Sequence, residues 1–99
     1  MFVGKVIGNV WATRKHKGLE GSTLLLVRPV DSAGSGSFTG EATLAVDGGV
    51  GAGPGDVVLV MDEGGGARKI LRNPASPVRT VICGIVDQVS CIKGVKKYA

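Results

Sequence analysis

Residues 47–68 read DGGVGAGPGDVVLVMDEGGGAR, in which two glycine clusters bracket one apolar run, Val57 to Val60. Glycine loops that bind phosphate follow a strand and open a helix, whose N-terminus carries the anion. Here the order is reversed, because a β-branched run follows Gly55 and no Gly-Lys-Ser/Thr is present. The glycines therefore indicate backbone geometry, at positions of positive φ or of close backbone approach, and not a nucleotide site.

The hydrophobic pattern on either side of this block predicts five strands and one helix. The strands are expected at residues 2–12, 22–30, 42–46, 56–62 and 80–92, and one or two helical turns at 67–72, stopped by residues 73–77. Alternation in the first strand predicts that Phe2, Val6 and Val10 share one face with the small residues between them. Residues 31–40 read as a flexible loop of small residues.

Five strands within 99 residues, several of them containing glycine, predict an all-β fold. The architecture expected is a small five-stranded OB-like closed barrel with one short helix before the last strand. Hydrophobic residues make up 43% of the chain but only four are aromatic, so the core must be built from Val, Leu, Ile and Ala. Residues 1–99 are expected to form a single domain with a modest core.

The net charge of +4 is concentrated in residues 14–17 and in Lys93, Lys96 and Lys97. A charge of this size is more typical of a solvated surface or a subunit contact than of a nucleic-acid interface, and few aromatic residues are present to stack on bases. With no signal peptide and no run of about 18 apolar residues, the chain is expected to be soluble and cytoplasmic, without membrane contact.

The two cysteines, Cys83 and Cys91, fall within one predicted strand, eight residues apart. At about 3.3 Å per residue their separation is roughly 26 Å, which excludes an intrachain disulfide unless the strand breaks. Since their neighbours are apolar, both are expected to be core residues without a redox role.

The residues of known catalytic and metal sites are not found together in this chain. His16 is the single histidine and stands in a basic loop, and two cysteines with one distant histidine do not make a zinc site. Asp47, Asp56 and Asp62 flank turns, where short carboxylates ordinarily accept hydrogen bonds from backbone amides. We therefore predict no catalytic residue, no metal and no cofactor, and no enzyme.

Asp87 interrupts the apolar run of the last predicted strand. Because buried charges are seldom tolerated unpaired, two interpretations remain open. In the first, Asp87 pairs across a subunit boundary, with Arg68, Arg72 or Arg79 as candidate partners. In the second, the strand emerges into solvent at Asp87.

Over nearly its full length the chain resembles the bacterial microcompartment vertex proteins of the EutN/CcmL type. The likeness is carried by VGKVIGNVWAT at residues 3–13, GLEGSTLLLV at 18–27, VGAGPGDVVLV at 50–60, Gly66-Ala67-Arg68, and Pro77-Val78 leading to residues 85–87. The chain departs from the family pattern at Thr23, at residues 64–66 and at Arg79.

The resemblance implies an OB-like barrel that assembles as a homopentamer and caps the fivefold vertices of a protein shell in the cytoplasm. It implies a subunit interface that includes Gly51, Ala52, Gly53 and Arg68, to which Asp87 is added as a candidate. Contacts with hexameric shell proteins are then expected from the basic residues Arg14, Lys15, Lys17, Lys96 and Lys97. The alternative from another class is an OB-like nucleic-acid-binding module that uses the same basic loop and tail.

Overall fold

The structure, a computed structural model, describes residues 1–31, 36–74 and 77–98. Its elements are β1 (Phe2–Val10), β2 (Leu24–Pro29), β3 (Thr43–Asp47), β4 (Val57–Asp62), α1 (Gly64–Leu71), β5 (Thr80–Ile85), β6 (Gln88–Cys91) and β7 (Gly94–Lys97), with a 3₁₀ turn at Lys17–Leu19. Strands β1 to β5 close into a barrel in the order β1-β2-β3-β5-β4. The predicted five-stranded closed barrel, with one short α-helix before its last strand, is confirmed.

The interior of the barrel is filled by aliphatic side chains, as the composition predicted. The buried cluster consists of Val6, Leu25, Val27, Ala45, Val58, Val60 and Ile82, with Phe2 and Ala52 packed against it. β3 and β5 run parallel, whereas the other neighbouring strands of the barrel run antiparallel. Because every strand of a closed barrel has two neighbours, no edge is left open for pairing.

β1 changes face at a bulge. Val6 pairs with Val27 and Gly8 pairs with Leu26, so Ile7 is an extra residue between two consecutive positions of β2. Gly8 therefore points outward with Leu26, and a Cβ at Gly8 would lie 3.7 Å from the Leu26 Cδ1. The prediction that the apolar residues of β1 share one face along its whole length is wrong beyond Val6.

The prediction of one long strand over residues 80–92 is also wrong. β5 ends at Ile85, and the Val86 N–H donates the last hydrogen bond along β4, to the Val57 carbonyl at 2.8 Å. Since β4 begins at Val57, the chain has no further partner there. It turns away and forms the antiparallel hairpin β6–β7, with Cys91 paired to Gly94.

Neither Cys83 nor Cys91 is in a disulfide bond. Cys83 is half-buried, and its thiol donates to the Leu59 carbonyl at 3.5 Å. Cys91 is exposed on β6, so the expectation that both cysteines lie in the core is wrong for Cys91.

Helix α1 begins three residues earlier than predicted, at Gly64. Glu63 caps it, because its carboxylate accepts hydrogen bonds from the N–H groups of Gly65 at 2.7 Å and Gly66 at 2.6 Å. The hydrogen bonds from Gly66 and then Gly65 lower the pKa of Glu63 from its ordinary value. These bonds satisfy donors that the first turn of any helix leaves open, which offsets the low helix propensity of three glycines.

The expected flexible loop at residues 31–40 and the helix stop at 73–77 fall in part on residues 32–35 and 75–76, which lie outside the described residues. Beyond the first gap, Phe38 forms a single bridge with Val30, and the Arg28 guanidinium lies 4.4 Å from the Phe38 ring centroid. The end of this loop is therefore held against the end of β2.

Candidate subunit interface

The connection between β3 and β4, which carries the Gly-Ala-Gly sequence, is held at both of its ends by carboxylates. The Asp47 carboxylate accepts hydrogen bonds from the N–H groups of Gly51 at 3.0 Å and, more weakly, Ala52 at 3.5 Å. The Asp56 carboxylate accepts from the Gly53 N–H at 2.9 Å. The prediction that these two aspartates bind turn amides is confirmed, and the loop is a fixed surface.

Asp62, for which the same role was predicted, does something else. Its carboxylate oxygen Oδ1 accepts from the Arg79 Nε and from the Thr80 hydroxyl, both at 3.1 Å. Arg79 therefore forms an exposed ion pair within its own chain.

Neither the backbone conformation nor any neighbouring atom in the described part of the chain requires a glycine at position 53. Gly51 has a φ of +76°, a conformation that favours glycine. Gly53 has no such φ, and a Cβ added to it would have nothing within 4 Å. The approach of another molecule to the loop would account for the small size of this residue. Ala52 differs, because it packs against the buried cluster of the barrel.

Asp87 lies at the same end of the barrel as this loop. The Gly55 N–H donates to the Val6 carbonyl at 2.8 Å just before β4 begins, and Val86 reaches β4 at its first residue. Asp87 is exposed in one copy of the chain, which agrees with both interpretations, and its carbonyl accepts from the Tyr98 N–H at 2.7 Å. Its carboxylate makes no hydrogen bond or ion pair with any other residue in the described ranges.

Arg68 lies on α1, at the opposite end of β4. Since β4 has six residues, these two ends are separated by about 17 Å along the strand. The Arg68 guanidinium folds back toward the start of α1, where a Cβ on Gly64 would lie 3.3 Å from its Nη1. Among the described residues its guanidinium has no hydrogen-bond or ion-pair partner, although its charge contributes to lowering the pKa of Glu63. One copy of the chain therefore leaves Arg68 and Asp87 apart.

The hairpin β6–β7 was missed by the sequence analysis, and it extends the same end of the molecule. Ile92 at its turn is fully exposed and Val95 is 58% exposed. A two-stranded hairpin on its own is marginally stable in water, so these side chains need a surface to pack against. Gly94 was the sequence signal for this hairpin, since a glycine between two short runs containing valine is typical of a hairpin turn. In the structure, Gly94 has a φ of +136°.

Further apolar side chains are exposed on the outer wall of the barrel. Ile7 on β1 is 46% exposed and Leu44 on β3 is 45% exposed, while Trp11 just after β1 is almost fully exposed. Exposed apolar residues that form a patch mark sites of protein contact.

The predicted shell contacts separate into two groups. Arg14, Lys15 and Lys17 lie in the exposed segment between β1 and β2, where the Lys15 Nζ donates to the Ala12 carbonyl at 3.3 Å. His16 in this segment accepts a hydrogen bond at Nδ1 from the Gly18 N–H at 2.9 Å and so caps the 3₁₀ turn. Lys96 and Lys97 lie on β7 instead of in a free tail.

Within the described ranges, no three His, Cys, Asp or Glu side chains come together in a way that could hold a metal ion. The same residues contain no helix long and apolar enough to cross a membrane.

Comparison with known proteins identifies one family over most of the chain. A family model described as ethanolamine utilisation protein EutN/carboxysome matches residues 1–87. The shell vertex protein PduN of Salmonella typhimurium is 40% identical over 93 residues, which cover 92% of this chain and all of PduN.

Solved structures agree in fold as well as in sequence. CcmL of Nostoc sp. PCC 7120 has a TM-score of 0.85 and 33% identity, covering 98% of this chain and 99% of CcmL. GrpN, a pentameric microcompartment shell protein from Rhodospirillum rubrum, has a TM-score of 0.80 and 36% identity, covering 93% of this chain and all of GrpN.

Proposed function

This chain belongs to the EutN/CcmL family, and from that membership we propose that five copies close into a ring that caps the fivefold vertices of a bacterial microcompartment shell. The observation that carries the proposal is its likeness to a solved pentameric shell protein across the whole of that protein. The role is structural, not catalytic. The names of these relatives give no support to the nucleic-acid-binding alternative.

The ring uses heterologous contacts, in which one face of each copy meets a different face of the next and closure stops growth. We assign these two faces to opposite ends of β4. One carries Gly53, Asp87 and the hairpin, and the other carries α1 with Arg68. In the ring, the neighbouring copy approaches Gly51, Ala52 and Gly53, and a guanidinium at Arg68 is suited to bind a carboxylate such as that of Asp87.

The hairpin supplies the apolar part of the contact. Ile92 and Val95 are exposed in a single copy, and their burial against the next copy removes apolar surface from water, the main driving force for association. The isolated hairpin is stabilised at the same time, because its side chains then pack on a second layer.

The finished ring meets other shell components through its basic residues. We assign Arg14, Lys15 and Lys17, with Lys96 and Lys97, to contacts with hexameric shell proteins, and place the assembly in the cytoplasm. Charged residues at the rim of an interface chiefly affect the rate and register of association. Residues 1–99 act as one domain in this assembly.

Native mass spectrometry tests the proposal, with a species five times the mass of the chain as the expected result. A Gly53→Leu variant sharpens the test, because its Cβ meets nothing within 4 Å in one copy, whereas the added side chain blocks the approach of the next copy. We expect this variant to be folded and monomeric. Gly53 is preferred to Ala52 for the purpose because Ala52 also packs on the barrel core.

The matched control is Thr13→Leu, which adds the same apolar side chain to an exposed position outside the proposed interface. It should remain pentameric. A pentameric Gly53→Leu variant would show that the loop is not at the interface, and a wild-type chain without a five-copy species would contradict the ring itself.

A further inference from the structure

A cavity of about 380 Å³ lies between the base of the hairpin and the outer wall of the barrel. Its polar lining is basic, with Lys5 from β1 and both Lys96 and Lys97 from β7. The cavity is also lined by Val30, Val57 and Tyr98. The three lysines come from two parts of the chain that are more than 90 residues apart in sequence, so the fold itself assembles them.

The lysines of this cavity have no counter-charge among the described residues that line it. Beside Lys5, Lys96 and Lys97 these are glycines, valines and Tyr98, and none of them is acidic. Asp56 lies in sequence between the lining residues Gly55 and Val57, but its carboxylate accepts a hydrogen bond from the Gly53 N–H at 2.9 Å. Three like charges in one concave site repel one another, and an anion bound among them relieves that repulsion.

The Tyr98 hydroxyl gives a second and independent indication. It is enclosed and has no hydrogen-bond partner in the described part of the chain. Enclosed polar groups are nearly always satisfied, and an unsatisfied one calls for an explanation such as a ligand. The Lys96 Nζ lies 5.9 Å from the centroid of the Tyr98 ring. A Cβ on Gly36 would lie 3.9 Å from the same Nζ and 4.0 Å from the hydroxyl, which places both groups at one edge of the cavity.

We propose that this cavity binds the phosphate group of a small phosphorylated organic molecule. A phosphate dianion offers three oxygens to the ammonium groups of Lys5, Lys96 and Lys97, and one of them can accept a hydrogen bond from the Tyr98 hydroxyl once the Lys96 side chain shifts. A monocarboxylate carries half the charge. The volume exceeds that of phosphate alone, and Val30 and Val57 provide an apolar surface for the organic part.

Isothermal titration calorimetry on the full chain at about 0.15 M salt tests the proposal, with inorganic phosphate, glycerol 3-phosphate and acetate as probes. We expect saturable binding, tightest for glycerol 3-phosphate and weakest for acetate. Lys96→Gln should weaken phosphate binding about tenfold, the loss expected for one charge-assisted hydrogen bond. The matched control is Lys93→Gln, in a lysine of the hairpin turn that does not line the cavity, and it should bind as the wild type does.

Tyr98→Phe separates a ligand site from a structural role for this residue. If the hydroxyl belongs to a ligand site, its removal weakens phosphate binding. The same change raises the melting temperature of the unliganded protein, because an unsatisfied polar group is removed. Phosphate binding that is absent, or that Lys96→Gln and Lys93→Gln reduce equally, would overturn the proposal, as would unchanged binding by Tyr98→Phe. Native mass spectrometry of each sample reports the ring separately, so loss of the pentamer is not mistaken for loss of the site.

Discussion

Gly48, just after β3, is a residue at which the barrel leaves no room for a side chain. A Cβ there would lie 2.5 Å from the Ile82 carbonyl oxygen and 2.8 Å from the Ile70 Cγ2. The first contact is with backbone, which cannot rotate away, because the Gly48 N–H donates to that same carbonyl at 2.9 Å. Even one methyl group therefore pushes the end of β3 away from β5 and α1.

We expect Gly48→Ala to lower the free energy of unfolding by about 1–3 kcal/mol, the usual cost of overpacking. Urea unfolding at a fixed protein concentration measures the change as a lower midpoint at unchanged slope. Gly84→Ala is the matched control, since its Cβ would meet Leu59 at an ordinary 3.5 Å. Equal midpoints for the two variants would show that β3 shifts at no cost.

The glycine cluster also shows how far single residues could be predicted from sequence. Its order relative to the strand was enough to favour tight backbone geometry over a phosphate loop. The sequence alone could not show why each of these positions is a glycine. A clash with backbone excludes a side chain at Gly48, a positive φ favours glycine at Gly51, and neither applies at Gly53. Those reasons depend on residues distant in sequence, such as Ile82.

Among the elements, α1 depends on its cap more than on its composition. The helix predicted at residues 67–72 left out the three glycines at 64–66, which have a low helix propensity. The structure begins the helix there, since the Glu63 carboxylate binds two open N–H groups and adds a negative charge at the positive end of the helix dipole. A glutamate before small residues was the signal, although Ser, Thr, Asp and Asn are the usual caps.

The lowered pKa of Glu63 gives this cap a pH dependence. A carboxyl group with a lower pKa in the folded state stabilises the fold above its unfolded pKa, which is 4.5 ordinarily, and that contribution is lost as the pH falls through the folded value. We expect Glu63→Gln to be less stable than wild type at pH 7, with the gap closing below pH 4.5. Thermal unfolding at pH 7 and at pH 3 measures the difference in stability, with Glu20→Gln as an exposed control. A gap of the same size at pH 3 would contradict the role of the charge.

The strands show a different limit of sequence reasoning. The hydrophobic pattern placed all five barrel strands. It failed at Ile7 and at residues 86–92, because the bulge and the end of β5 are set by pairing between strands. Where β5 ends is decided by where β4 begins, and that is a property of the pairing between strands.

At the scale of the whole molecule, the features that one copy leaves unused lie at its two ends. The end with Gly53 and Asp87 also carries an exposed hairpin, and the end with α1 carries Arg68. The resemblance suggested Gly53 and Arg68 as candidate interface residues, and the strand pattern suggested Asp87, but the sequence gave no indication that they divide between two ends. That division follows from the antiparallel pairing of β4 and β5, which places Thr80 beside Asp62 and Ile85 beside Val58. Such a molecule is suited to head-to-tail assembly, in which complementary charges meet between copies.

A charge exchange tests this arrangement directly. If Arg68 of one copy binds Asp87 of the next, Arg68→Glu and Asp87→Arg each place like charges at every junction of the ring. Each change should cost on the order of 1 kcal/mol per contact, as for partly exposed pairs. Sedimentation at decreasing protein concentration should then show dissociation of either single variant before wild type.

The double variant, Arg68→Glu with Asp87→Arg, restores an attractive pair in the reverse orientation. We expect it to recover most of the lost ring stability, which a sum of two independent effects does not do. Arg14→Glu is the control, because it reverses a charge outside both faces and should leave the pentamer intact. A double variant that dissociates as readily as the worse single variant would show that these residues do not meet, and would leave the glycine loop and the hairpin to hold the ring.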